Sequence, residues 1–253
     1  MSPRRTSTSV RRRSIPRALA LIALALALAL AGCAAPTLAW SIRRGDLLAL
    51  TVSERAERPA LVVDLDDTVV RGGFGNGLRL ATGCCYLGSE PFASAPQALT
   101  RLASTWNIVF LTARDDWVDD ETLAWLDRHE FPAAPVVFSS SVLWSRRAKE
   151  DYKASALAEL RARGLAVRAG VGDKASDIGA YWRARVKRVF LILENADDDD
   201  LAATREREAL LPSGVGFIEL VCERPDDAWE QIAARLTAIA AADESDGDPA
   251  LTR

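Results

Sequence analysis

The stretch Leu61 to Val70, LVVDLDDTVV, opens like a buried strand and then sets Asp64, Asp66 and Asp67 within four positions. Aspartates open turns readily after strands, so alone this run reads equally well as a turn. Polar groups also gather after later apolar runs, at Thr112-Ala113-Arg114, at Ser139 to Ser141, and at Asp173-Lys174 with Asp177. Carboxylates sharing one small volume stay ionised only against a cation, and magnesium, hard and oxygen-preferring, suits them. An ionised carboxylate attacks phosphorus without an activating base, so the set fits phosphoryl transfer. Asp64 is then the nucleophile, and Asp66 the group that protonates the leaving alkoxide and later draws a proton from water. The hydroxyl of Thr112 and the amide of Ala113 are donors to phosphoryl oxygens. Lys153 supplies positive charge, with Lys149 one helical turn earlier as its competitor. The metal ligands are Asp64 and Asp173, the carbonyl of Asp66, and Asp177 directly or through water. Asp173 and Asp177 are four residues apart, which an early helical turn places on one face. Arg114 either meets a second substrate charge or pairs with Asp115 or Asp116.

Other chemistries lack their parts. His129 is the only histidine, the four cysteines have no metal-thiolate spacing, and Ser139 and Ser141 have no histidine base.

The elements that must position these residues follow a regular cadence. Apolar runs at 61–63, 108–111, 136–138, 166–171, 189–193 and 217–221 alternate with helical patterns at 96–104, 117–128, 151–163, 174–182 and 225–239. Short strands separated by helices of about ten residues predict an α/β domain with a mostly parallel sheet. Ligands in such sheets gather outside the carboxyl ends of the strands, where the polar clusters fall. Residues 71–92, glycine-rich and carrying Cys84 and Cys85, read as a loop or hairpin flap, too short for a large cap. The acid run 195–200 reads as solvated surface and Lys174 as exposed. Trp106, Trp117, Trp125, Trp144 and Trp182 read as core.

The N-terminus is a separate matter. Six arginines and no acid fall within residues 4–17, and Ala18 to Ala31 is unbroken Ala, Leu and Ile. This is the pattern of a signal segment. It closes on Leu30-Ala31-Gly32-Cys33, which resembles the lipobox of bacterial lipoproteins, with cleavage before Cys33 and lipid on its thiol. The expected organisation is a signal peptide at 1–32, a lipidated lead-in at 33–58, a phosphatase domain at 59–240 and a disordered acidic tail at 241–253. The full chain has 32 basic and 35 acidic side chains. Losing the six arginines with the signal leaves a charge of −9 on the remainder, which argues against nucleic acid as a partner.

Asp64-Leu65-Asp66-Asp67-Thr68, then Thr112, a lysine, and Gly172-Asp173 with Asp177 resembles the four ordered motifs of the haloacid dehalogenase-like phosphatases. The resemblance spans about residues 60–193. It implies a Rossmann-like sheet, Mg2+ and an aspartyl-phosphate intermediate in phosphomonoester hydrolysis. A narrower likeness, carried by LTAR, FPAAPVVFSS, EDYKASALAEL and AGVGDKASDIGAY, is to the lipin and LNS2-type phosphatidate phosphatase branch. That branch ordinarily has glycine at the position of Asp67 and often asparagine at that of Asp173. The substrate is then a small phosphorylated compound or a phospholipid. The expected location is lipid-anchored at the outer membrane facing the periplasm, or at the cell surface. A phosphotransferase and a non-enzymatic cation- or partner-binding lipoprotein are the alternatives; oligomeric state is left open.

Overall fold

A computed structural model describes residues 40–42, 58–71, 89–140, 143, 145–192, 202, 218–222 and 225–245. Cys33 and the signal segment, most of the 71–92 segment with Cys84 and Cys85, Trp144 and the acid run at 195–200 lie outside the described residues. Among the described residues no helix is long and apolar enough to cross a membrane.

The six expected apolar runs form β2 (Ala60–Val63), β3 (Asn107–Asp115), β4 (Val136–Ser139), β5 (Val167–Gly172), β6 (Arg188–Ile192) and β7 (Ile218–Cys222). An unexpected strand, β1 (Trp40–Ile42), lies within the segment read as a lead-in. Together they make one seven-stranded sheet in the order β1-β4-β3-β2-β5-β6-β7. Every pairing is parallel except that of β1, which closes the β4 edge in antiparallel register.

Strand periodicity sends successive side chains to opposite faces, and here both faces are buried. Leu61 and Val63 of β2 join Ile108, Phe110, Val136, Phe138, Ala169, Val171, Phe190 and Ile192 on one face. Their neighbours Ala60 and Val62 join Val109, Leu111, Val137, Val167, Val189 and Leu191 on the other. The first face is covered by α1 (Ala95–Leu102), α2 (Asp119–Arg128) and α5 (Pro225–Ser245), and the second by α3 (Arg146–Ala162) and α4 (Ala175–Arg183). The result is the expected α/β fold, helices on both sides of a mainly parallel sheet.

Three boundaries differ from expectation. Helix α3 starts five residues early, at Arg146, because Ser145 caps it by accepting from the amide of Ala148 at 3.1 Å. The pattern from Trp117 is split into a short 3-10 turn at Asp116–Val118 and α2 proper. Helix α5 continues to Ser245, into the segment expected to be a disordered tail, since the alanine-rich residues there are strong helix formers.

The connections also locate the site. The chain leaves central β2 toward β3 and β4, then returns to β5 on the other flank. That reversal opens a crevice between the carboxyl ends of β2 and β5, the usual ligand position in such sheets.

Candidate active site

Asp64 is the first residue beyond β2, and its amide is tied across the crevice to the carbonyl of Val171 at 3.0 Å. The chain then turns tightly, with Leu65 accepting from the amides of Thr68, Val69 and Val70. Asp67 sits in this turn at φ 56°, the left-handed region that favours glycine and tolerates aspartate. Trp229 of α5 donates from Nε1 to the carbonyl of Thr68 at 2.9 Å, so the last helix pins the turn that follows Asp64.

On the far side of the crevice, β5 ends at Gly172, followed by Asp173, Lys174 and α4. A Cβ on Gly172 would lie 2.6 Å from the Cβ of Asp177, so only glycine lets the strand end approach the helix start. Asp173 precedes α4 instead of sharing a helical face with Asp177. The two meet because Asp177 Oδ2 turns back to accept from the amides of Lys174 and Asp173, at 3.1 and 3.4 Å. Asp177 is thus both the cap of α4 and a member of the site.

Lys153, on α3, joins the two sides. Its Nζ is 2.8 Å from Asp64 Oδ1 and also contacts Asp177 Oδ1. Lys153 is therefore the lysine brought to the carboxylates; Lys149 lies one turn earlier on the same helix and is half-buried. Oxygens of Asp64, Asp173 and Asp177 lie within 4.8 Å of one another, and all three residues are buried.

The electrostatics follow from this crowding. Burial pushes Asp64 up to about 7; Lys153 opposes the shift, while Asp177 and Asp66 add to it. Burial, then Asp177 and Asp64, holds Asp173 well above the ordinary carboxylate range, with Lys174 opposing. Burial alone would lower Lys153, but Asp177 and Asp64 raise it well above its usual value, so it stays charged. Lys174, expected to be exposed, is only 34% so and reaches Asp173 at 3.0 Å and Asp67 at 3.5 Å.

Ionised together, the three carboxylates would exceed the charges of Lys153 and Lys174, and a divalent cation would offset the crowding that otherwise favours protons on Asp64 and Asp173. Asp173 Oδ1 is buried with no hydrogen-bond partner among the described residues, a costly state for a carboxylate oxygen unless a cation meets it. The donors are all oxygens, as magnesium prefers, and they fit it. The side chain of Asp66 is not part of this cluster. Its two oxygens take a bidentate ion pair from Arg114, at 2.6 Å from Nη2 and 2.9 Å from Nε, and its side chain is 42% exposed.

Arg114 thus has a partner that neither expected role named, Asp66. It is buried, held by Asp66 and by the hydroxyl of Thr122, which is itself bonded to the carbonyl of Val118. The register between β3 and β4 is irregular from Leu111 to Asp115, and Thr112, Ala113 and Arg114 occupy that irregularity. Thr112 is buried and accepts from the amide of Arg114 at 3.2 Å, leaving its O–H as a donor. Ala113 is half-buried beside it. Trp106 and Trp125 are core, as expected, but Trp117 and Trp182 are exposed, because each falls on the solvent side of its turn or helix.

Residues 98–193 match the family model described as PITM 1-3, LNS2 domain. The matched segment carries Thr112, Lys153, Asp173 and Asp177, and it is the branch that the LTAR and GDKASD segments resemble. Among solved structures the chain is similar to a phospho-aspartyl intermediate analogue of phosphoserine phosphatase, with TM-score 0.47 and 13% identity over 71% of this chain and 99% of that one. A phosphoserine phosphatase in apo form is similar with TM-score 0.43 and 13% identity, covering 67% and 95%. No curated protein matches the chain.

Proposed function

We propose that this chain is a phosphomonoesterase that works through a phosphoaspartate at Asp64 and depends on Mg2+. The observation that carries the reading is the buried Asp64 carboxylate held by Lys153 beside Asp173 and Asp177. Asp64, Asp173 and Asp177 would hold magnesium, which supplies positive charge against the phosphoryl oxygens when bound.

The chain's own groups do the rest. Lys153 fixes Asp64 at Oδ1, so the other oxygen meets phosphorus in line with the leaving oxygen. As the bond from Asp64 to phosphorus forms, the bond from phosphorus to the leaving oxygen breaks, and Asp66 gives that alkoxide its proton. Water then attacks the phosphoaspartate, its proton passes to Asp66, and the Asp64–phosphorus bond breaks to release phosphate. Arg114 holds Asp66 by both oxygens, so one oxygen must leave the arginine to carry the proton. Thr112 donates its hydroxyl to a phosphoryl oxygen, with the amide of Ala113 as a second donor.

The branch likeness makes phosphatidate the lipid substrate to test and leaves small phosphomonoesters beside it. We further propose that the chain is exported, carries lipid on Cys33 and works at the outer membrane; fractionation and mass spectrometry of Cys33 test this. Purified chain should release phosphate from phosphatidate in mixed micelles, or from a soluble phosphomonoester panel, only with magnesium. Absence of release from every compound, with the metal present, defeats the proposal. Adding glycerol and analysing the products separates hydrolysis from transfer to an alcohol.

A further inference from the structure

At the amino ends of β5 and β6, the end of the sheet opposite Asp64, lies a cavity of about 260 Å³ whose lining includes Arg161, Arg168, Arg185 and Lys187. We infer that it is a second site, built to bind a multiply charged phosphate group.

The cavity is remote from the catalytic crevice. Leu165, Ala166 and Val167 of its lining lead into β5, while Arg185 and Lys187 lead into β6. Asp173 follows the other end of β5, six residues on, or roughly 20 Å along the strand.

Composition does not account for the cluster, since the chain as a whole is acidic, at −3. Elsewhere on the surface arginines meet carboxylates, as Arg101 meets Glu230 at 2.7 Å and Arg163 meets Glu159 at 3.0 Å. Around this cavity the described lining holds four cationic side chains and no acid, and no described carboxylate pairs with any of them. Arg161 is fixed in place: its Nη2 donates to the carbonyls of Val167 and Arg185 at 3.1 and 3.2 Å. Burial, and then the charge of Arg168, pulls Arg161 below its ordinary value, a repulsion that a bound anion would relieve. Guanidinium forks match phosphate oxygens bidentately, and a preset fork loses little freedom on binding. The volume suits a phosphate or pyrophosphate group more than a drug-sized molecule.

Free phosphate compounds and lipid headgroups share this chemistry, and the test separates them. The full chain is titrated in EDTA with pyrophosphate by calorimetry, and separately with phosphatidylcholine vesicles with and without phosphatidate. The comparison is an Arg168→Gln/Lys187→Gln double variant, which leaves the anchored Arg161 alone. Expected is salt-sensitive binding by the wild type, weakened about tenfold or more in the variant, with magnesium-dependent phosphatase activity unchanged. Loss with pyrophosphate identifies a free phosphate ligand; loss confined to phosphatidate vesicles identifies a headgroup. Equal binding by variant and wild type, or no binding to either probe, overturns the inference. Because the catalytic residues are untouched, that outcome leaves the phosphatase reading intact, and an inactive enzyme would leave this one intact.

Discussion

Stripping divalent cations and raising the pH should destabilise the wild-type chain more than its Asp64→Asn variant. The Asp64 carboxyl has an ordinary value of 3.8 and sits at about 7 in the fold, first because it is buried. Between those values the folded chain keeps a proton that the unfolded chain has released. Stability from that proton is whole below about pH 4 and is lost as the pH rises through about 7. At about 1.4 kcal/mol per pH unit, the full effect is about 4 kcal/mol, of which about 3 falls between about pH 5 and 8. Lys153 does not cancel it, because its own value is raised and it stays charged across that range. Urea denaturation in EDTA at a series of pH values, run on both proteins, reads the contribution of Asp64 together with its coupling to Asp173 and Lys153, since all groups outside the site contribute alike. Magnesium should then restore more stability at about pH 8 than at about pH 5, because it competes with the proton. Parallel pH curves for wild type and variant would refute the assigned burial of charge at Asp64.

Three further outcomes follow from named contacts. Lys153→Met should lower turnover by about 10²–10³-fold or more and, in EDTA at neutral pH, cost about 3–5 kcal/mol of stability, because two buried carboxylates lose their partner; steady-state rates and urea curves check both. Arg114→Met should lower kcat by about 10²-fold with little change in KM by unseating Asp66, and Arg114→Lys should recover only part of it, since a lysine cannot make the bidentate contact. Gly172→Ala should cost about 1–3 kcal/mol in thermal or urea denaturation and weaken magnesium binding, because the new methyl meets the Cβ of Asp177 and displaces a proposed ligand.

The strands and helices were legible because their apolar residues recur with clear periods and both sheet faces are buried. Strand β1 was not, since three residues pairing through backbone leave no period to read. The acidic residues at the ends of β2 and β5 were legible as one site because parallel strands bring their carboxyl ends together. Lys149 and Lys153 could not be separated in sequence: four residues apart, they share a helical stripe, and only the placement of α3 against the crevice selects Lys153. The pairing of Arg114 with Asp66 joins adjacent strands across 48 positions of sequence, so no local signal announces it. Lys174 was read as exposed for the same reason. Its partner Asp67 comes from the β2 turn, and only a run of three acids hinted that the third had a task.

The central claim is attack by Asp64 on phosphorus, and trapping the phosphoryl group tests it most directly. Chain mixed with radiolabelled phosphatidate or p-nitrophenyl phosphate and magnesium, quenched in acid within one turnover and digested, should carry label on the peptide containing Asp64. The Asp64→Asn variant should carry none and release no phosphate. Label on another residue, or turnover by that variant at the wild-type rate, would contradict the account.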